Sequence, residues 1–104
     1  MKELNDLTTD EFVAKNQYTC LLFYLNDSPA CQDALELLAS MQVRFANVRF
    51  GCINVEINAE QAIEHRVRSI PAVVLTKNGQ MVFKNEGLVY QDQIHDELVK
   101  LRGK

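Results

Sequence analysis

The sequence predicts an α/β protein, a central mixed five-stranded sheet with helices on both faces. Three observations carry that prediction. Tyr18 to Leu25 is an unbroken β-prone apolar run, which is what a strand buried on both faces requires. A helix-start signature and a long amphipathic stripe follow it directly, the strand-to-helix alternation by which parallel strands are connected. Asn78-Gly79 separates two short β-prone runs and marks an antiparallel hairpin, because both positions tolerate positive φ.

The elements follow in order. Lys2 to Leu4 is a faint strand. Thr8, followed three residues later by Glu11, has the spacing of a capping box, with Phe12 and Val13 supplying the buried face of a first helix. After the central run, Asn26-Asp27-Ser28 offers short capping side chains, and Pro29 suits the first helical position, where its missing N–H costs nothing. Ala34, Leu37, Leu38, Met41 and Phe45 then recur at spacings of three and four, one apolar stripe about four turns long. Phe50 to Ile57 alternates as a strand, and Asn58 is placed to cap a short helix through about Arg66. Ala72 to Thr76 and Met81 to Lys84 flank the Asn-Gly turn, with the hairpin supplying an antiparallel edge. Ile94, Leu98 and Leu101 mark a closing helix, whose negative carboxyl end suits Lys100 and Arg102.

Composition bounds the rest. A chain of 104 residues, 47% hydrophobic and 24% charged, suits one domain over 1–104 that hides roughly two-thirds of its unfolded surface. The net charge of −3 is scattered, so no basic patch invites nucleic acid or an anionic membrane. The amino terminus carries acids and no apolar stretch, unlike a secretory signal. The longest apolar run, Cys20 to Leu25, falls far short of the roughly 20 residues that cross a bilayer. Cys20, Cys31 and Cys52 cannot all pair within one chain, which suits a reducing, cytoplasmic setting better than a disulfide-stapled secreted one. They show no Cys-x-x-Cys spacing, and there is no His-x-x-x-His, so no metal site is expected, and no cofactor either. No glycine loop stands ready to cradle a phosphate. His65 and His95 sit on expected helices amid charged residues and read as solvated.

The layout, with Val67-Arg68-Ser69-Ile70-Pro71-Ala72, Lys77-Asn78-Gly79 and Gly87, resembles thioredoxin over nearly the whole chain. That family places a Cys-x-x-Cys pair at the start of the helix after the central strand, and about 40 residues later an Ile-Pro whose cis proline faces the pair. Cys31 and Pro71 lie 40 positions apart, and Pro71 precedes the strand beginning at Ala72. The resemblance implies a thioredoxin fold. It also implies a groove lined by Tyr24, Pro29, Ile70, Pro71 and the Gly87 loop, where the backbone of Ile70 pairs with an extended segment of a protein or peptide client.

The motif itself departs from the family, reading Ser28-Pro29-Ala30-Cys31. Disulfide exchange needs a thiolate to attack and a second thiol to release the mixed disulfide, and a serine hydroxyl does neither near neutral pH. Cys31 matches the resolving thiol, expected in the first helical turn and less accessible. Four further departures accompany it. Leu22 stands at the family's buried aspartate and Cys52 at its associated lysine. Asp27 replaces the tryptophan before the motif, where its charge disfavours a thiolate against the pull of the helix amino terminus. Glu36 replaces the kink proline, which implies a straighter helix.

Ser28 followed by proline therefore reads first as a helix cap. Neither histidine has the strand-to-Gly-x-Ser-x-Gly context of a serine hydrolase. Cys20 and Cys52, on strands among apolar neighbours, read as core residues. Two functions stay open. One is a client-binding or single-thiol module that has lost independent dithiol reductase activity, like the thioredoxin domain of chaperedoxins, which carries Ser-x-x-Cys and holds unfolding proteins or forms mixed disulfides. The other is an active thiol-disulfide oxidoreductase in which Cys31 attacks and glutathione, another cellular thiol reductant, Cys20 or Cys52 resolves.

Overall fold

The computed structural model describes residues 1–103. The elements run β1 (Lys2–Leu4), α1 (Thr9–Lys15), β2 (Tyr18–Tyr24), α2 (Pro29–Met41), β3 (Arg49–Asn54), α3 (Ala59–Glu64), β4 (Ala72–Lys77), β5 (Gln80–Glu86) and α4 (Gln91–Leu101). The five strands form one sheet in the order β1-β3-β2-β4-β5. β1, β3 and β2 are parallel, β4 is antiparallel to β2, and β5 is antiparallel to β4. The antiparallel strand thus lies inside the sheet beside β2, and only its hairpin partner β5 forms the edge. The hairpin turns at Asn78 (φ 52°) and Gly79 (φ 82°), the two left-handed positions that a two-residue turn requires.

Because side chains alternate along a strand, β2 contributes to two cores. Cys20, Leu22 and Tyr24 face a cluster built with Cys31, Ala34, Leu38 and Met41 of α2 and with Ile94, Leu98 and Leu101 of α4. Leu21 and Phe23 face the opposite cluster with Leu4, Ile53, Ala72 and Val74, against which Phe12 and Val13 of α1 and Ala62 of α3 pack half-buried. Burial on both faces explains the unbroken apolar run. Its one threonine does not contradict this, since Thr19 is the cross-strand partner of Thr76 on β4 and their buried hydroxyls bond each other. Gly51 is dictated by close approach. A Cβ there would lie 2.5 Å from Leu4 Cδ1 and 3.3 Å from Phe12.

Several local expectations are corrected. The capping box does not form. Thr8 does occupy the N-cap of α1, but its hydroxyl accepts the Asn5 N–H at 3.0 Å, while Asn5 Oδ1 takes the Leu7 and Thr8 N–H groups, a local turn that outcompetes the cap. Asn58 occupies the N-cap of α3 without capping it. Its carboxamide bridges Asp6 N–H and Asn54 C=O, and the helix donor at Gln61 N is taken by Asp6 Oδ1 at 3.0 Å, from a loop 55 residues away in sequence. α2 stops at Met41, so Phe45 reaches the core from the following loop rather than from the stripe. β3 ends at Asn54, short of Ile57, and α3 ends at Glu64. Neither histidine is freely solvated. Both are half-buried, His65 against Phe23 at 5.4 Å between ring centroids and His95 against Phe45 at 5.6 Å.

Candidate functional site

The site forms where β2 gives way to α2. Ser28 has extended backbone (φ −113°, ψ 118°) and its hydroxyl accepts the Cys31 N–H at 3.2 Å, with Pro29 at the first helical position. The geometry is that of a side-chain cap, and it uses the serine oxygen for structure. Pro29 itself is exposed. Cys31 lies in the first turn, wholly buried, and its sulfur accepts the Leu25 N–H at 3.4 Å. Asp27, next to Ser28 in the chain, is exposed.

The Ile70–Pro71 peptide bond, just before β4, is cis. Pro71 is buried, Ile70 is half-buried, and Ile70 packs against both cores, including the cluster that holds Cys31. Gly87, at φ 102°, donates its N–H to the Pro71 carbonyl at 2.8 Å, so the glycine loop and the proline are joined directly. A side chain at Gly87 would meet no neighbour, and the left-handed backbone alone is what favours glycine there.

Tyr24 departs from the expected groove lining. Its ring belongs to the core, only 7% exposed, and its hydroxyl donates to Glu3 Oε2 at 2.8 Å. The alternation of β2 places Tyr24 with Cys20 and Leu22 in the cluster that packs on α2 and α4, which takes it out of the expected lining. Burial and the neighbouring Glu3 carboxylate both push the phenol above its ordinary range.

All three cysteines are free and buried. Burial drives the Cys20 thiol strongly upward. Burial and then the Glu3 carboxylate push Cys52 up to about 12, and its Sγ lies 3.4 Å from Glu3 Oε1. A resolving thiol must reach its target as a thiolate, and neither Cys20 nor Cys52 offers one near neutral pH. Leu22, at the position of the family's aspartate, is fully buried and apolar, and is the cross-strand partner of Cys52. Among the described residues, no group of three or more His, Cys, Asp or Glu side chains could hold a metal ion. No described helix is long and apolar enough to cross a membrane.

Sequence reasoning missed three polar residues around the site. Glu3 joins Tyr24 to Cys52 from an edge strand 21 and 49 residues away. Glu86 accepts the Arg68 and Ser69 N–H groups at 3.1 and 3.0 Å through one oxygen, and its other oxygen lies 3.1 Å from Lys84 Nζ. Lys84 also donates to the Arg66 carbonyl at 2.8 Å. The one signal in the sequence was the i, i+2 spacing of Lys84 and Glu86, which puts them on one face of β5.

Comparison with known proteins agrees with this geometry. The fold matches a single-substitution mutant thioredoxin from Halobacterium salinarum (TM-score 0.90, 21% identity, 96% of this chain and 88% of that one). It also matches oxidised mitochondrial thioredoxin 3 from Saccharomyces cerevisiae (TM-score 0.89, 24% identity, 97% and 95%) and the Plasmodium falciparum thioredoxin (TM-score 0.89, 16% identity, 96% and 98%). No curated protein sequence matches the chain significantly. The family model for thioredoxin matches residues 1–100, nearly the full length over which the sheet order, the cis Ile70–Pro71 bond and the Ser28-x-x-Cys31 helix start are laid out, and the chain belongs to the thioredoxin family.

Proposed function

We propose that this protein is a thioredoxin-family member that has lost independent dithiol reductase activity and serves in the cytoplasm by holding an extended segment of a protein client, with at most single-thiol chemistry at Cys31. One observation carries the reading. The Ser28 hydroxyl is committed to the Cys31 N–H, and the one remaining motif thiol is wholly buried beneath it. The nucleophile of a dithiol cycle has no replacement, because a serine oxygen near neutral pH neither attacks a disulfide nor forms one. The apolar Leu22 and the protonated Cys52 fit the same reading, since a proton-handling pair has no task without that nucleophile. Pro29, Ile70, Pro71 and Gly87 do not depend on the lost thiol and remain as a peptide-binding surface.

Insulin reduction followed by turbidity in the presence of dithiothreitol tests the loss. The expected result is precipitation no faster than with dithiothreitol alone, and robust catalysis by the wild-type protein would overturn the reading.

A second reading draws on the Leu25 N–H directed at the Cys31 sulfur and on the place of that sulfur in the first turn of α2. In it Cys31 attacks, and glutathione or another cellular thiol resolves. A pH series of alkylation rates on Cys31, with Cys20 and Cys52 changed to alanine, separates the two. A thiolate populated near neutral pH supports the enzyme, and an ordinary free-thiol profile supports the binding module.

A further inference from the structure

The segment that leads into the groove is held by a device that the dithiol site does not use. Arg66 sits at φ 57°, a conformation that an L-residue with a Cβ adopts reluctantly, and the chain from there to Ser69 belongs to neither α3 nor β4. Two side chains of β5 tie it down. Glu86 Oε1 accepts from two successive backbone donors, Arg68 N–H and Ser69 N–H, and Lys84 Nζ bridges Glu86 Oε2 and the Arg66 carbonyl. Both side chains are only about a quarter exposed, at 25% for Lys84 and 23% for Glu86. On the far side, the Pro71 carbonyl is taken by Gly87 N–H. The backbone donors of Val67, Arg68 and Ser69 before Ile70 and the Pro71 carbonyl after it are therefore occupied, whereas the Ile70 N–H and C=O have no hydrogen-bond partner among the described residues.

We propose that Glu86, braced by Lys84, is the positioning residue of the groove: by capturing the Arg68 and Ser69 N–H groups it leaves Ile70 as the one residue of this segment that offers a free backbone donor and acceptor to an extended client. This inference rests on the client-binding reading above. Its physical content is pre-organisation. A loop already ordered costs a client less on binding, and two donors already satisfied cannot draw a client carbonyl into a competing register. Charge-assisted hydrogen bonds from backbone N–H to carboxylate suit this task, being stronger than neutral ones.

The test uses Glu86→Ala and Glu86→Gln in the full chain. Two readouts are taken: amide hydrogen exchange at Arg68 and Ser69, and the affinity for fluorescein-labelled, carboxymethylated α-lactalbumin as a permanently unfolded client. In Glu86→Ala both amides should exchange faster, and the client should bind about tenfold more weakly, the cost of ordering roughly one residue of backbone. Glu86→Gln, whose carboxamide oxygen still accepts, should lie between wild type and alanine in both readouts. Lys84→Met should speed exchange at the same two amides while leaving the carboxylate in place, and it guards against a fold defect specific to the alanine variant. Unchanged exchange in Glu86→Ala overturns the clamp. Faster exchange with unchanged affinity overturns its positioning role. Failure of the wild type to bind the client overturns the groove reading and the role of Glu86 together, and is recognisable because the two amides still respond to the substitution.

Discussion

Replacing Ser28 by alanine separates a structural serine from a chemical one. Of the first donors of α2, Pro29 has no N–H, Gln32 N–H is already bonded to the Ser28 carbonyl at 3.0 Å, and Cys31 N–H depends on the Ser28 hydroxyl at 3.2 Å. Removing that oxygen leaves the Cys31 donor without its cap in a partly buried turn, beside a cysteine that is fully buried. Losing such a cap costs about 1 kcal/mol, within a range of roughly 0.5–2. For a domain of this size that lowers Tm by about 4–8 °C. Urea unfolding at pH 7 followed by circular dichroism should show a lower midpoint with an unchanged slope, because the surface exposed on unfolding is the same. Ser28→Asp should recover most of the loss, as its carboxylate caps equally well and favours the positive end of the helix. A Ser28→Ala protein as stable as wild type would refute the cap. So would a Ser28→Asp protein as unstable as Ser28→Ala.

Three further outcomes are expected. Gly51→Ala should destabilise by about 1–3 kcal/mol in chemical denaturation, because its Cβ falls 2.5 Å from Leu4 Cδ1; a neutral result would mean that β1 yields without cost. Native protein should react with an aromatic disulfide reagent at least about tenfold more slowly than in guanidinium, where all three thiols become accessible, and one thiol titrating rapidly in the native state would contradict the burial of Cys31. Stability should also fall in alkali. The Cys52 thiol rises from its ordinary 9.0 to about 12 in the folded chain, so the unfolded chain loses that proton first. The stabilisation is intact below pH 9.0 and is lost as pH rises toward about 12. Urea midpoints measured from pH 7 to 11 should therefore decline less steeply in Cys52→Ala than in wild type, and parallel slopes would count against the shift.

The parts of the fold legible in the sequence were those in which local preference and burial agree. Tyr18 to Tyr24 is a strand because seven consecutive residues suit a pleated backbone and both faces are covered. Ser28-Pro29 is a helix start because the serine oxygen and the proline φ each act within four residues. Ile94, Leu98 and Leu101 sit on one face by helical period alone, and all three are buried. The errors fell where two local bonds compete or where the winning partner is distant. Thr8 fits a capping box, yet Asn5 offers a turn that is equally local. Asn58 fits a cap, yet Asp6 supplies one from 55 residues away.

The sequence by itself determined the family scaffold, the position of the motif and the loss of its first thiol, because each is a matter of residue identity at a fixed spacing along the chain. Only the tertiary structure decided what those residues can offer. It turned Tyr24 inward to Glu3, closed solvent off from Cys31, and brought Glu86 and Lys84 of an edge strand onto the segment before Ile70. Accessibility and cross-strand hydrogen bonds depend on which face of the sheet a side chain occupies and on what packs over it, and no spacing along one strand contains that information.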